Sequence, residues 1–226
     1  MNLGILRVVG IVLFLYLTWR NLRDNYPSKD LISYSWEALL AFFVGGRVVY
    51  GLINWGIWNT NLGDWLLVWQ KPGMNYEGAY LALIGVTVFI CNKKSWKIWT
   101  FLEQILTSTL VLLLGVIGDE FVRARFEISL GLVSLLLIIC LVVANIAKKK
   151  YRSFTWYKSG KSGFAWFFVN FVFWFLMMII SLLFWNNETR AFVYIFLSLT
   201  SLLGLFILGD VLEPLLIFGK RKKQYE

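Results

Sequence analysis

The chain has 226 residues, of which 59% are hydrophobic and 15% charged. A soluble domain carries roughly 45–50% apolar and about 25% charged residues, so this composition excludes a soluble globule, and the apolar excess excludes intrinsic disorder. The balance is basic, with Lys+Arg 22 against Asp+Glu 13 and a formal net charge of +9. In so apolar a chain that excess reads as basic cytoplasmic loops rather than a nucleic-acid footprint, and no nucleic-acid partner is expected. Histidine is absent, which removes a His base, His metal ligands and any Ser-His-Asp triad. Cys91 and Cys140 lie in apolar stretches and form no Cys-x-x-Cys motif or disulfide framework. Neither a metal nor a cofactor is expected.

The elements predicted in chain order are membrane spans. A spanning helix needs about 20 mainly apolar residues. Stretches at 3–19, 31–55, 78–91, 98–117, 128–146, 164–185 and 191–208 meet or approach that length. The first has no basic leader, and Leu17-Thr18-Trp19-Arg20 is no small-residue cleavage site, so it reads as a retained span. After the second, residues 59–69, with Trp58 just before and Trp65 and Trp69 within, read as an amphipathic segment at the outer interface. The third stretch is short, and either extends back through Met74 or begins as a buried re-entrant loop. Asn187-Glu188-Thr189 is a formal glycosylation acceptor before the seventh stretch. Residues 210–218 read as an interfacial piece, anchored by Lys220, Arg221, Lys222 and Lys223. With no repeat or linker visible, the predicted fold is all-α: a polytopic bundle of seven transmembrane helices forming one integral-membrane domain over residues 1–226.

Seven spans put the two ends on opposite sides, and positive charge sets the direction. The connections after spans 1, 3 and 5, together with the tail, hold sixteen of the 22 Lys and Arg residues. The opposite side holds four, namely Lys71, Arg123, Arg125 and Arg190, while Arg7 and Arg47 fall inside spans. The N-terminus is therefore expected outside and the C-terminus in the cytoplasm.

Charges inside a bilayer are costly and usually face a partner or a cavity. Arg47 falls in the outer half of span 2, directly after Gly45-Gly46, with Tyr50 three residues on along the same helical face. Glu77 opens span 3, Asp119 and Glu120 close span 4, Arg123 and Arg125 follow, and Glu127 opens span 5. All are expected at one depth near the outer face, where they form either a salt-bridge network tying helix ends together or a substrate site. A guanidinium at the depth of Arg47 suits a phospholipid phosphate. Arg7, Glu37, Glu103 and Gln104 read as helix-pairing or snorkelling groups.

Several of these segments resemble those of the prolipoprotein diacylglyceryl transferases. Gly45-Gly46-Arg47-Val48-Val49-Tyr50 is similar to that family's Gly-Gly-Arg-x-x-Tyr. Gly73-Met74-Asn75-Tyr76-Glu77-Gly78-Ala79 is similar to its Gly-Met-Ser-Phe-His-Gly-Gly. Gly115-Val116-Ile117-Gly118-Asp119 falls at its Gly-Arg-Ile-Gly-Asn signature, and Arg125-Phe126-Glu127 resembles the Tyr-Glu pair that opens its fifth span. The resemblance implies a seven-span, multi-pass protein of a bacterial inner (plasma) membrane. It also implies an enzyme that moves diacylglyceryl from phosphatidylglycerol to the lipobox cysteine of a prolipoprotein. The family's histidine falls at Glu77, its signature arginine at Val116 and its asparagine at Asp119, and no arginine stands in the sixth stretch.

The resemblance therefore implies one of two functions. In a divergent transferase, Glu77 is the base and Arg47 holds the phosphate, with Arg123 or Arg125 standing in for the arginine lost at Val116. Asp119 is then the second catalytic carboxylate. It orients substrate groups together with Glu120, Tyr50 and Tyr76 contact the head group, and Glu127 completes the set. In a non-catalytic relative, the same residues bind phospholipid or a lipoprotein signal segment. A third possibility is an unrelated lipid-modifying enzyme or small transporter with the same hydrophobic layout.

Overall fold

The computed structural model describes residues 4–54, 73–151, 157, 161–185 and 188–209. Among them are seven α-helices and no strand: α1 Ile5–Leu22, α2 Ser28–Ile53, α3 Tyr76–Lys93, α4 Ile98–Arg123, α5 Ile128–Lys150, α6 Phe164–Ile180 and α7 Glu188–Leu208. Ser181–Trp185 continues α6 as a widened π turn. All except α3 are long and apolar enough to cross a membrane. The 18 residues of α3 begin with Tyr76-Glu77 and end with Asn92-Lys93, which dilutes its apolar length. The interfacial segment at 59–69, the acceptor Asn187 and the basic tail lie outside the described residues.

Several helix ends lie beyond the apolar stretches. α4 continues past Ile117 to Arg123 and α5 past Ile146 to Lys150. An apolar run marks the hydrocarbon layer, whereas hydrogen bonding carries a helix on into the polar interface. Asp119, Glu120 and Arg123 therefore all lie on α4 itself, not on the following loop. The third stretch is a helix that starts at Tyr76, so it does not extend back through Met74. Asn75 Oδ1 caps it by accepting from Gly78 N at 2.6 Å.

The described chain forms two compact units: Leu15–Phe101, and the described residues up to Phe14 together with those from Leu102 on. In the first, α2 packs along α3. Leu31, Tyr34, Ala38 and Phe42 are buried from α2, and Ala79, Leu83 and Cys91 from α3. The Thr87 hydroxyl donates to Leu83 O at 2.7 Å, so Tyr34 supplies the proton of the 2.9 Å bond between the Tyr34 and Thr87 hydroxyls. Where α2 begins and α3 ends, Lys94 pairs with Asp30 at 2.6 Å and lies over the Trp96 ring, which stacks on Phe101.

In the second unit α5 packs on α6 and α6 on α7. Leu137, Cys140 and Ala144 are buried from α5, Phe164, Ala165 and Val169 from α6, and Tyr194 from α7. A buried polar tie joins three helix ends. Glu103 on α4 accepts from the backbone N–H of Gly163, whose φ of 107° suits a glycine, just ahead of α6. Lys148 near the end of α5 donates to Gln104 O at 3.3 Å and to Thr107 Oγ1 at 3.2 Å. The first turns of α1 meet α4 through glycine: a Cβ on Gly115 would lie 2.6 Å from the Gly10 Cα. Gly115→Val is therefore expected to lower stability by about 2 kcal/mol through overpacking, measured as a lower unfolding midpoint in detergent.

Large apolar side chains remain exposed along the helices, among them Val12 and Tyr16 on α1, Leu40 and Val44 on α2, Ile138 and Val142 on α5, and Phe192 and Phe196 on α7. Exposed apolar faces on this scale would drive a soluble protein to associate, but they suit lipid.

Candidate functional site

In the unit Leu15–Phe101 the candidate residues gather where α2 meets the start of α3. Gly46 has no side chain because none fits: a Cβ there would lie 2.8 Å from Met74 Cγ and 2.9 Å from Ala79 Cβ. This close approach lets Asn75 N donate to Gly46 O at 3.0 Å. Arg47, next along α2, is 5% exposed and donates from Nη1 to Gly73 O at 2.7 Å. The Tyr50 ring lies against the Gly73 α-carbon. Tyr76 and Glu77 form the first turn of α3, both half-buried. The structure therefore brings Arg47 and Tyr50 together with the backbone that leads into Tyr76 and Glu77. It also occupies one guanidinium nitrogen of Arg47 with that backbone. A carboxylate in the first turn, as at Glu77, is favoured by the helix dipole.

The second set lies on and after α4, in the other unit. Asp119 is 4% exposed, and two cations converge on its Oδ2, Arg123 Nε at 2.9 Å and Arg7 Nη2 at 3.5 Å. Arg7 Nη2 also lies 4.0 Å from Glu120 Oε1. Gly4 sits directly against the Asp119 carboxylate, leaving no room for a side chain. Past α4 the chain turns through Arg125 (φ 53°) and Phe126 (φ 67°). Phe126 N bonds to Phe121 O at 2.9 Å, and the two rings pack edge to face. This is a Schellman-type helix stop with its hydrophobic contact, built without glycine. It leaves Arg125 exposed, while Glu127 accepts from Ser129 Oγ at 2.6 Å.

Of the seven charges expected in one cluster, Arg47 and Glu77 belong to the first unit. Asp119, Glu120, Arg123, Arg125 and Glu127 belong to the second. Asp119, Glu120 and Arg123 meet, joined by Arg7, which sequence reasoning placed among the helix-pairing groups without naming its partner.

The sequence model of the family described as prolipoprotein diacylglyceryl transferase matches residues 2–122, just over half of the chain. The chain belongs to that family. No curated protein matches it. The match spans α1 to α4, and so takes in the Gly45-Gly46-Arg47 segment, the start of α3 and the Gly115–Asp119 signature positions, while Arg125-Phe126-Glu127 falls beyond it. With six apolar helices, this member of the prolipoprotein diacylglyceryl transferase family is a multi-pass membrane protein. Membership removes the reading of an unrelated enzyme or transporter. Where the sequence resemblance leads one to expect an arginine, this transferase-like chain carries Val116, which is 0% exposed in the α4 core. The cations near Asp119 arrive instead from Arg123, one turn further along α4, and from Arg7 on α1.

Proposed function

We propose that this chain transfers the diacylglyceryl group of phosphatidylglycerol to the lipobox cysteine of a prolipoprotein. It would do so as one integral-membrane domain of the inner (plasma) membrane, with seven spans, the N-terminus outside and the C-terminus in the cytoplasm. The observation that carries the proposal is Arg47, a buried guanidinium in an apolar helix within the family-matched residues, at the junction that leads into Tyr76 and Glu77. The split of Lys and Arg between alternating connections supports the orientation.

In the proposed reaction the cysteine thiol gives its proton to Glu77 and its sulfur bonds to the terminal glyceryl carbon of the lipid. The C–O bond to the phosphate breaks, and glycerol phosphate leaves with the electron pair. Arg47 stabilises the charge that grows on the departing phosphate. Tyr50 and Tyr76 contact the head group. Arg123 or Arg125 takes the role of the arginine missing at Val116. Asp119, Glu120 and Glu127 orient charged and hydroxyl groups.

The second reading, a non-catalytic relative that binds phospholipid or a lipoprotein signal segment, is favoured by one observation. Val116 is buried among apolar side chains where the family motif has a charge. The two readings separate when the purified chain is incubated with phosphatidylglycerol and a lipobox peptide. A diacylglyceryl adduct in the mass spectrum supports the transferase. Co-purifying phosphatidylglycerol without an adduct supports the binder. Either way Arg47→Ala is expected to weaken lipid retention about tenfold or more, because a charge-assisted hydrogen bond is worth roughly 1.5–3 kcal/mol. Retention equal to the parent's would exclude Arg47 as the phosphate ligand.

A further inference from the structure

Glu37 is a carboxylate on the wrong face of α2 for a structural role. The buried face of that helix, with Leu31, Tyr34, Ala38 and Phe42, packs along α3. Glu37 is exposed, and so are its neighbours Trp36, Leu40 and Val44. Among the described residues no ion pair or hydrogen bond reaches it. The helix itself supplies no cation within a turn, since Ser33, Tyr34, Leu40 and Ala41 stand three and four residues to either side. Lys29, the nearest cation on α2, is eight residues or about 12 Å along the axis. A charge inside a membrane span usually faces a partner. Lys and Arg escape that need by snorkelling on long stems. Glutamate has a shorter stem, and Glu37 lies six residues, about 9 Å, past the opening of the apolar stretch at Leu31.

The exposed face continues from Glu37 through Leu40, Val44, Val48 and Leu52 at helical spacing. Val48 adjoins Arg47 in the chain, so this apolar stripe reaches the level of the junction that leads into Tyr76 and Glu77. The ten residues from Glu37 to Arg47 rise about 15 Å. A secretory signal carries a positively charged flank followed by an apolar core of about 7–15 residues, which as a helix is about 10–22 Å long. One such core fits between the two levels, with its basic flank at Glu37 and its lipobox near Arg47. With the N-terminus outside, α2 and the signal core run in the same direction, because the basic flank stays on the cytoplasmic side.

We infer that the exposed face of α2 docks the apolar core of the prolipoprotein signal segment, with Glu37 paired to a Lys or Arg of its basic flank. The inference rests on the reading that this chain takes a lipobox peptide, and the test separates the two. The full chain in maltoside detergent is titrated with two fluorescent lipobox peptides that share one apolar core. One has lysines in its flank and the other glutamines. Binding is read by anisotropy, so the result does not depend on catalysis. Glu37→Gln is expected to raise the Kd of the lysine peptide about tenfold, the effect of one charge-assisted contact. It is expected to leave the Kd of the glutamine peptide and the thermal midpoint unchanged. Glu37→Lys is expected to reverse the preference, favouring a peptide with glutamates in the flank. A benzophenone side chain placed at Leu40 should crosslink to the bound peptide, and one placed at the exposed Phe192 on α7 should not.

Unchanged lysine-peptide affinity with Glu37→Gln, an equal loss for both peptides, or crosslinking at Phe192 but not at Leu40 would each overturn the inference. An adduct that still forms in those cases leaves the proposed transfer standing without this docking face. Absence of lysine-peptide binding to the parent chain removes both. Selective loss with Glu37→Gln in a chain that forms no adduct keeps the docking face and removes the transfer.

Discussion

Glu77→Gln is expected to slow formation of the diacylglyceryl-peptide adduct by about 10²–10⁴-fold, the usual range for removing a general base. The substitution conserves shape while removing the negative charge and the capacity to take a proton. Its structural cost is small by comparison. Glu77 sits in the first turn of α3, where the loss of a negative charge costs about 0.3–1 kcal/mol through the helix dipole. Asn75 supplies the side-chain cap of α3 and is untouched. Insertion and the unfolding midpoint should therefore stay close to those of the parent while the rate falls. Glu77→His sharpens the test, because it puts a base of different charge at the position where the resembled family has histidine. A base role predicts that His restores a substantial part of the rate lost with Gln. A purely structural carboxylate predicts that His and Gln are equally impaired. An adduct rate with Gln equal to the parent's would remove Glu77 from the chemistry altogether.

How far the sequence foretells this arrangement depends on which coordinate is asked for. The placement of helices along the chain is legible, because long apolar runs mark where a helix forms, and the helices occupy the expected stretches. Helix ends are less so: Asp119, Glu120 and Arg123 read as a terminus and a loop, yet all three are helical, since backbone hydrogen bonding does not stop where hydropathy does. Lateral pairing is the least legible. Arg7 was visible as an intramembrane charge in need of a partner, but depth alone does not choose among the carboxylates near one face. A usable signal was present in the spacing. Gly10 lies three residues after Arg7 and Gly115 four before Asp119, so on each helix the glycine and the charge share a face. The close glycine contact and the ion pair are two consequences of that one alignment. The Tyr76 hydroxyl was legible only as a residue type. That it is buried, and unpaired among the described residues, depends on rotamer and packing, which no one-dimensional pattern carries.

Asp119→Ala tests whether the α4 cluster holds the fold together, and the expected loss of stability is about 3 kcal/mol. Removing one member of a buried ion pair strands its partners, a change that typically costs about 3–5 kcal/mol. The side chain of Asp119 is 6% exposed, that of Arg7 24% and that of Arg123 44%. Solvent therefore screens the Arg123 contact most, which sets the expectation at the lower end of the range. Arg123→Ala alone should cost clearly less than Asp119→Ala, because Arg7 remains to pair with the carboxylate. Replacing Arg7, Asp119 and Arg123 together by apolar residues of similar volume should recover most of the loss, since no unpaired charge is then left buried. Unfolding midpoints of the full chain in detergent, compared across the three variants, decide the matter. A loss below about 1 kcal/mol for Asp119→Ala would class the cluster with exposed ion pairs. The burial of Asp119 would then call for a role beyond stability, and the adduct rate of the same variant would measure it. If instead stability falls by the expected amount and the triple apolar variant still forms the adduct, Asp119 acts by holding α1 against α4, and the chemistry belongs to the residues around Arg47 and Glu77.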